Sequence, residues 1–371
     1  MEFTIDRDAF LKSLGHANGI IEKKTTLPIL ANILIEAKNS KIKIIATDLD
    51  IIYFEEILPK EIKQEGSTTT SAGTLYDILR KLQSNSNVEL CLSSNNKLKL
   101  TSGNSKFTLL CLPSDNFPLS EEDVDEKSFE VSSQQLLKLL NKTKISISSD
   151  ETRHYLNGIY LHKTKSENKS FLCGVSTDSH RLSSSSLEIN SEAQVESIIL
   201  PKKTIYQLIS LLEQNNKSIK ISNNKAKIKF EMDAGILISK VIDGRFPDYN
   251  KVIPKDNDKT LEIKLNDFKN SIERVTTVSS DRKEGLKMSI TKDSVQLSVS
   301  SPNSGEGVEI INAKFNSNDL NISFNSRYLI DITSHIENES IIINLKDPGS
   351  PVLIRDFSDK NSFHVVMPMK I

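Results

Sequence analysis

The chain of 371 residues is longer than one hydrophobic core usually supports, which favours two or three domains. Hydrophobic residues make up 37% and charged residues 26% of the chain, a composition typical of globular proteins that excludes global disorder. The formal net charge of −1 excludes polyanion binding driven by overall charge. A nucleic-acid role would therefore need local segregation of charge.

The three cysteines predict neither disulfides nor a metal site. Cys91, Cys111 and Cys173 are widely spaced, and no two of them form a CxxC pair. Cys91 and Cys111 lie in alternating apolar runs, where small buried side chains are expected. The N-terminus MEFTIDRD lacks the pattern of a signal peptide, and there is no apolar run of about 18 residues. We expect a cytoplasmic, reduced protein without cofactors or membrane contact.

Six segments of the chain share one pattern, in which alternating apolar residues are followed by a polar break and then by apolar residues at helical spacing. Alternation is the period of a half-buried strand, and the later spacing marks one face of a helix. The segments begin at Phe3, Thr68, Phe129, Ile198, Leu261 and Ile322. One apolar position of the helix recurs at Phe10, Leu75, Leu136, Ile205, Phe268 and Leu329. The second segment fits least well, because its strand has only threonine methyl groups as apolar surface.

Between the predicted helices the chain reads as strands separated by Asn, Asp, Gly and Ser turns. Each repeat is therefore predicted to be a β-α-β-β-β unit, which gives an α+β architecture. The sequence also has a longer period that spans two of these units. Phe117-Pro118 and Phe246-Pro247 are 129 residues apart, and Pro368 follows after another 121. We predict three domains of two units each, at residues 1–125, 126–253 and 254–371.

No catalytic motif is present, and the protein is predicted not to be an enzyme. The sequence has no phosphate-binding loop, HExxH or GxSxG motif. Asp178, Ser179 and His180 are adjacent, but neighbours on an extended strand point to opposite faces and form no catalytic triad. A similar acidic pattern occurs at Asp48 and Asp50, which favours a repeated structural role. Metal binding by those two aspartates would need further ligands, which the sequence does not identify.

The predicted helices lean basic. Over residues 7–16, 73–84, 133–145, 202–214, 265–276 and 325–338 the charges are +1, +1, +3, +1, 0 and −1, a total of +5 that leaves −6 for the rest of the chain. If equivalent helices line one surface, their charge adds along it and contacts phosphates without reading bases. The side chains expected there are Arg80, Lys81, Lys138, Lys142, Lys144, Lys202 and Lys203.

Long strings in a fixed order run from one end of the chain to the other. They are TLPILANILIEA and ATDLD in the first third, RHYLNGIYLH and STDSHRL in the second, DGRFPDYNKVIPK at the second crossover and VVMPMKI at the C-terminus. In these strings the chain resembles the bacterial replicative sliding clamp family, the beta subunit of DNA polymerase III. The resemblance implies the DNA clamp fold, with three repeated domains, helices lining a ring and sheets outside.

The resemblance further implies a processivity factor of DNA replication that encircles duplex DNA without sequence specificity and pairs head to tail as a homodimer. Ring closure would pair strand edges that an open arc leaves exposed. The matching dimer positions are Phe107, Leu109, Thr277 and Val278, of which the last two are smaller than the aliphatics common in the family.

The family also has an apolar pocket for short linear peptides of the replicative polymerase catalytic subunit, the clamp loader, other polymerases and repair proteins. The matching positions are Leu156, Thr177, His180, Arg181, Leu182, Pro247, Lys251, Val252, Val365, Met367, Pro368 and Met369. Methionine suits a pocket that accepts varied partners. Strand alternation would let Val366 face the core while Val365 and Met367 face the pocket. Three positions depart from the family: Ser179 replaces a common glycine, Gly349 an aliphatic, and Lys251 an arginine.

Positions matching DNA contacts of the family form a further set: Lys24, Arg153, His154, Tyr155, Lys202, Lys203, Asn325 and Tyr328. Arg80 is added to the expected DNA contacts from the charge on the predicted helices. His154 stands where a phenol is frequent. Two other hypotheses remain open from the residues alone. One is a β-rich repeat scaffold that binds proteins without encircling DNA, and the other is a hydrolase that uses the region of Asp178 and His180.

Overall fold

The computed structural model describes residues 1–22, 26–93, 95–119, 124, 127–215, 217–279 and 285–370. Among these residues there are six α-helices. They are α1 (Arg7–Asn18), α2 (Ala72–Lys81), α3 (Ser133–Thr143), α4 (Lys202–Leu212), α5 (Leu265–Val275) and α6 (Ser326–Thr333). All six lie where the apolar spacing predicted them, and α6 ends five residues before the predicted end at 338.

The strands of the first half of the chain are β1 (Glu2–Asp6), β2 (Asn32–Lys38), β3 (Lys41–Thr47), β4 (Ile51–Ile57), β5 (Glu61–Gln64), β6 (Gly66–Ser71), β7 (Asn87–Ser93), β8 (Lys97–Ser102), β9 (Ser105–Leu112), β10 (Ser128–Ser132), β11 (Gly158–Ser166), β12 (Lys169–Thr177) and β13 (Arg181–Ile189). Those of the second half are β14 (Ile198–Pro201), β15 (Ser218–Asn223), β16 (Lys227–Met232), β17 (Gly235–Lys240), β18 (Lys259–Lys264), β19 (Gly285–Ile290), β20 (Ser294–Ser301), β21 (Gly305–Phe315), β22 (Leu320–Asn325), β23 (Ser340–Leu345), β24 (Val352–Asp356) and β25 (Ser362–Val366).

The predicted β-α-β-β-β repeat is confirmed six times. Each helix follows one strand and is followed by three, and among the described strands only β5 stands outside this order. The recurring apolar helix positions Phe10, Leu75, Leu136, Ile205, Phe268 and Leu329 are all at most 1% exposed. This burial explains the repeat, because each helix buries an apolar side chain at the same position of its unit.

The second repeat is stabilised by its threonines. Thr68, Thr69 and Thr70 of β6 are buried, so their methyl groups supply the apolar surface. The hydroxyls of Thr69 and Thr70 donate to the carbonyls of Leu112 and Leu110 at 2.9 and 3.2 Å. A strand of threonines is therefore compatible with a buried position because its polar atoms are satisfied.

The chain divides into two compact units, each built on one antiparallel sheet. Unit 1 comprises Met1–Gln134, Glu192–Glu196 and Tyr206–Val241, and unit 2 comprises Gln135–Ser191, Ser197–Ile205 and Ile242–Ile371. Unit 1 holds a 13-stranded sheet in the order β10-β15-β16-β17-β4-β3-β2-β6-β9-β8-β7-β1-β5. Unit 2 holds a 12-stranded sheet in the order β14-β11-β12-β13-β25-β24-β23-β18-β21-β20-β19-β22. The three-domain boundaries drawn from the Phe-Pro period stay a prediction.

In each unit one strand pairing joins repeats that are distant in sequence. In unit 1, β4 ends the first repeat and pairs with β17, which ends the fourth. In unit 2, β13 ends the third repeat and pairs with β25, which ends the sixth. The final strands of the second and fifth repeats are β9 and β21. Among the described residues these two strands pair with β8 and β20 on one side, and on the other side only near their C-terminal ends, with β6 and β18.

Candidate functional site

A tight turn at Thr177–Arg181 forms one edge of the candidate peptide pocket in unit 2. The Thr177 hydroxyl donates to the Arg181 carbonyl at 2.7 Å and accepts from the Ser179 amide at 3.1 Å. The Asp178 carboxylate accepts from the amides of His180 and Arg181, each at 3.0 Å. Ser179 has a φ of 78°, in the left-handed region. Asp178, Ser179 and His180 therefore lie in a turn between β12 and β13, and Asp178 supports this turn.

The same turn occurs in unit 1, which confirms a repeated structural role for the two acidic patterns. The Asp48 carboxylate accepts from the amides of Asp50 and Ile51 at 3.0 and 2.7 Å, and Leu49 has a φ of 80°. The Thr47 hydroxyl donates to the Ile51 carbonyl at 2.8 Å. Within the described ranges, no group of three or more His, Cys, Asp or Glu side chains is placed to hold a metal ion.

The floor of the candidate pocket is an apolar cluster. Leu156, Leu182 and Val365 are 2–4% exposed and pack together with Phe246 and Val175. Leu182 and Val365 lie opposite each other where β13 pairs with β25. The two strands therefore bring residues that are 183 positions apart in sequence to one surface.

The other expected pocket positions, here called the rim, are more exposed. Val252, Met367 and Met369 are 51%, 41% and 37% exposed, high values for apolar side chains. His180, Pro247 and Lys251 are exposed as well, while Thr177, Arg181 and Pro368 are half-buried. A floor of buried aliphatics below an exposed apolar rim is suited to an apolar ligand. Gly349 has open space around its α-carbon, where only Asp347 Oδ1 lies within 4 Å of an added methyl group.

The C-terminal segment is fixed to the fold. Val366 is fully buried in the core beneath the helices of unit 2, whereas the adjacent Val365 packs in the pocket floor, as strand alternation predicts. The Met367 amide donates to the His180 carbonyl at 2.9 Å, and the Met369 amide donates to the Ser323 carbonyl at 2.7 Å. The two methionines are thus held at the rim by backbone hydrogen bonds.

An aromatic layer beneath the pocket was not identified from the sequence. The Tyr160 ring stacks on Phe246 with centroids 5.0 Å apart and on His162 at 4.5 Å. The Tyr249 hydroxyl lies 3.0 Å from His162 Nε2. Burial lowers the pKa of His162 to about 4, so the imidazole is neutral at physiological pH. Burial also raises the pKa of the Cys173 thiol, which agrees with a structural cysteine.

Arg181 is held by three partners. Its Nε donates to Asp178 Oδ2 at 3.1 Å, its Nη1 donates to Asp331 Oδ2 at 2.6 Å, and its guanidinium lies 4.3 Å from the centroid of the Tyr328 ring. Tyr328 is one of the expected DNA contacts, and this face of its ring is covered by Arg181. Because the guanidinium is committed to these partners, Arg181 shapes the turn at the pocket.

Three expected DNA contacts lie in the segment Glu151–Leu156, which also supplies Leu156 to the pocket floor. Arg153 donates to Asp150 and Ser179, and Nε2 of the exposed His154 lies 3.2 Å from the Asp243 carbonyl. The hydrogen bond from the Thr152 hydroxyl, followed by the one from Arg153, holds the pKa of the Asp150 carboxyl below its usual value. This segment therefore places DNA-contact candidates beside a pocket residue.

The remaining expected DNA contacts are distributed over both units. Lys202 begins α4 and is exposed, Lys203 is half-buried, and the exposed Arg80 lies 3.4 Å from Asp77. Asn325 caps α6 by accepting from the Arg327 amide at 3.0 Å. Lys24 lies outside the described residues.

The expectation that Lys142 faces a phosphate backbone was wrong, whereas for Lys138 and Lys144 it stays a prediction. Lys142 is 2% exposed and its ammonium lies 2.5 Å from Asp359 Oδ2. Lys138 pairs with Glu337 at 2.7 Å, and Lys144 donates to Asn141 at 2.6 Å. A buried lysine must be paired, so one of the two lysines of α3 directs its charge into the protein.

The expected dimer positions lie on or beside β9 and β21, whose edges are only partly paired among the described residues. Phe107 of β9 is 37% exposed, while Leu109 is buried and packs within its own unit. Val278 lies beside β21, because a methyl group added to Gly307 would sit 3.3 Å from its Cγ2, and Thr277 is exposed. The sequence did not single out Leu110, Val308 and Ile310, which are 76%, 52% and 64% exposed on these strands. The adjacent leucines at 109 and 110 could have indicated an interface from the sequence, because they make both faces of β9 apolar.

Comparison with known proteins covers the whole chain. The family descriptions of the DNA polymerase III beta subunit match with the N-terminal domain at residues 1–121, the central domain at 130–248 and the C-terminal domain at 250–370. The Beta sliding clamp of Caulobacter vibrioides NA1000 is 35% identical over 100% of both chains.

Two solved structures resemble the chain over its full length. The C. crescentus beta sliding clamp superimposes with a TM-score of 0.96 at 35% identity, covering 100% of this chain and 99% of that one. A sliding clamp from Bartonella birtlesii bound to griselimycin also has a TM-score of 0.96, at 37% identity over 100% of both chains. Among the described residues no helix is long and apolar enough to cross a membrane.

Proposed function

The chain belongs to the bacterial DNA polymerase III beta subunit family, the beta sliding clamps, and on this premise we propose that two copies pair head to tail into a ring around duplex DNA. Sliding clamps are processivity factors of DNA replication and not enzymes. Membership of this family supports the clamp. It does not support the two alternatives, which were a scaffold that binds only proteins and a hydrolase.

The pairing of the last strands of the repeats carries the proposal for the ring. The odd repeats end in β4, β13 and β21, and the even repeats end in β9, β17 and β25. Two such odd–even pairs are formed inside the chain, β4 with β17 and β13 with β25. The remaining strands are β9 and β21, which carry the exposed Leu110 and Ile310. Pairing β9 of one copy with β21 of the next would repeat the internal arrangement and cover both edges.

Contacts to DNA are proposed to be few and independent of base sequence. The net charge of −1 and the internal pairing of Lys138 and Lys142 argue against a continuous basic surface. Exposed side chains such as Lys202 and the partly exposed Arg153 would contact phosphates, which carry no sequence information. Enclosure by the ring would then retain the DNA, while weak backbone contacts permit sliding.

The pocket of unit 2 is proposed to receive short linear peptides. Its buried floor of Leu156, Leu182 and Val365 and its methionine rim suit apolar side chains of different shapes. The proposed partners are the replicative polymerase catalytic subunit, the clamp loader, other polymerases and repair proteins. Griselimycin, which is bound to the clamps of Bartonella birtlesii and Pseudomonas aeruginosa, is a convenient probe for this site.

Retention on DNA tests the ring. After loading by a clamp loader, the protein is expected to remain on a closed circular duplex and to leave a linear duplex of the same sequence through its ends. The rate of loss is measured by gel filtration of labelled protein. Linearising the circle after loading should release the protein, and blocking both ends of the linear DNA should restore retention. Equal loss from open linear and circular DNA would rule out enclosure.

Replacing Met367 by alanine tests the pocket. We expect the affinity for griselimycin to fall about tenfold, because truncating one well-packed anchor costs roughly 1–2 kcal/mol. Met232→Ala in unit 1 is a matched methionine control and is expected to leave the affinity unchanged. Isothermal titration calorimetry gives both constants, and sedimentation shows whether the dimer is retained. Wild-type affinity in Met367→Ala would place the ligand elsewhere.

A further inference from the structure

The hydroxyl of Ser179 links the turn at the pocket to an arginine of the neighbouring segment. Arg153 Nη1 donates to Ser179 Oγ at 2.6 Å, and Arg153 Nε donates to Asp150 Oδ2 at 2.9 Å. Ser179 has a φ of 78°, which side chains rarely adopt and glycine adopts without strain. The chain therefore has a serine at a backbone conformation that favours glycine, and the serine side chain contacts Arg153.

The turn itself does not need this hydroxyl, as the equivalent turn in unit 1 shows. Leu49 occupies the same position there with a φ of 80°, and the threonine and aspartate hydrogen bonds are the same. Leucine has no polar side-chain atom and is 45% exposed at this position. The function of the Ser179 hydroxyl is thus to be sought in its contact with Arg153.

Arg153 depends on its side-chain partners for its orientation. Its backbone, at φ −114° and ψ 57°, interrupts the helical turn Glu151–Leu156. The guanidinium side chain is 37% exposed, and Asp150 and Ser179 engage two of its five N–H donors. The other three N–H donors of the guanidinium could therefore bind a phosphate. Three residues later, Leu156 lies in the pocket floor.

The other end of the turn is tied to the pocket rim. The His180 carbonyl accepts from the Met367 amide at 2.9 Å, and Leu182 lies in the floor opposite Val365. A ligand that presses on the floor and rim therefore acts on the turn that carries Ser179. Displacement of this turn would move the acceptor of Arg153.

Resting on the proposed function, we propose that Ser179 is a positioning residue that holds Arg153 for contact with the DNA backbone and so couples occupancy of the peptide pocket to the grip on DNA. A ligand that shifts the turn changes the position of the guanidinium. Because coupling between two binding equilibria is reciprocal, bound DNA changes the affinity for the ligand by the same factor.

Variants of Ser179 test the positioning role in the intact dimer. Affinity for a short labelled duplex is measured by fluorescence anisotropy over a series of salt concentrations. Ser179→Ala removes the acceptor and is expected to weaken binding about threefold, with a smaller salt dependence. Ser179→Asn supplies an acceptor and tolerates a positive φ, so it is expected to bind more tightly than Ser179→Ala. Leu49→Ala, at the equivalent turn of unit 1, is the matched control and should equal the wild type.

A double-mutant cycle assigns the effect to the pair. Arg153→Ala is expected to weaken duplex binding, and adding Ser179→Ala to it should cause no further loss. Wild-type affinity and salt dependence in Ser179→Ala, together with weakened binding in Arg153→Ala, would overturn the positioning role and leave the clamp function intact. Unchanged duplex affinity in Arg153→Ala would show that Arg153 does not contact DNA, which would overturn the proposed coupling. The ring would still be tested separately by retention on circular DNA.

The coupling itself is measured with griselimycin as the probe. A saturating concentration is expected to change the duplex affinity of the wild type at least about threefold, and to leave that of Ser179→Ala unchanged. An equal response of the two proteins would show that the pocket and the DNA contact communicate without Ser179, which would overturn the proposal.

Discussion

Dimers of the Leu110→Lys variant are expected to dissociate about 100-fold more readily than those of the wild type. Leu110 lies on β9 and is 76% exposed in the single chain. In the proposed ring it would be covered by the edge of β21, which carries Val308 and Ile310. Placing an ammonium against this apolar edge costs roughly 1.4 kcal/mol at each interface, and the two interfaces of the ring together give about 2.8 kcal/mol, a factor of about 100 in the dissociation constant.

Sedimentation equilibrium over a range of concentrations measures this constant. Leu58→Lys is the matched control, because Leu58 is 77% exposed and follows β4, which pairs with β3 and β17 and not with β9. The control is expected to dimerise like the wild type. Ile310→Lys, at the opposite edge, should reproduce the effect of Leu110→Lys. A wild-type dissociation constant in both edge variants would exclude pairing of β9 with β21.

Replacing His16 by alanine is expected to destabilise the protein by about 3 kcal/mol, from lost buried hydrogen bonds and a cavity. His16 is 4% exposed in unit 1, where Nδ1 lies 3.0 Å from Glu55 Oε2 and Nε2 lies 3.1 Å from Gln214 Oε1. The Tyr53 hydroxyl donates to the same Glu55 oxygen at 2.9 Å, and burial followed by the charge of Glu55 raises the pKa of Tyr53. Removing the imidazole would leave a buried carboxylate with fewer partners next to a cavity.

Urea denaturation followed by circular dichroism, at one protein concentration, measures this loss. The exposed His180 provides the control, and His180→Ala is expected to stay within about 0.5 kcal/mol of the wild type. Glu55→Gln in the His16→Ala background should recover part of the stability, because it removes the buried charge. A loss below about 1 kcal/mol in His16→Ala would show that the buried network contributes little.

Local periodicity was sufficient to predict the repeats. Alternation and helical spacing depend on near neighbours in the chain. They were enough to predict the six helices, the buried helix positions from Phe10 to Leu329 and the order of helices and strands along the chain. The turn at Asp48 could be inferred to match that at Asp178 because the same residues supply the same local hydrogen bonds. The division into domains and the assignment of site residues stay predictions.

Charge was predicted less well, because the partners of an ionic side chain are distant in sequence. Lys142 was expected to face a phosphate but meets Asp359, 217 residues later. The partner Asp331 of Arg181 is likewise 150 residues distant and was not foreseen, while the place of Arg181 in the pocket stays a prediction. A positive helix face predicts a binding surface only where the fold leaves its charges unpaired.

The sequence by itself determined a chain of six strand-and-helix repeats, since the periods of strands and helices are local. Its long matching strings identified the family. Only the tertiary structure decided which strands of different repeats pair and which edges remain, because those pairings join β4 to β17 and β13 to β25 across more than 170 residues. It also decided that Ser179 contacts Arg153, since hydrogen-bond partners are selected by distance in space.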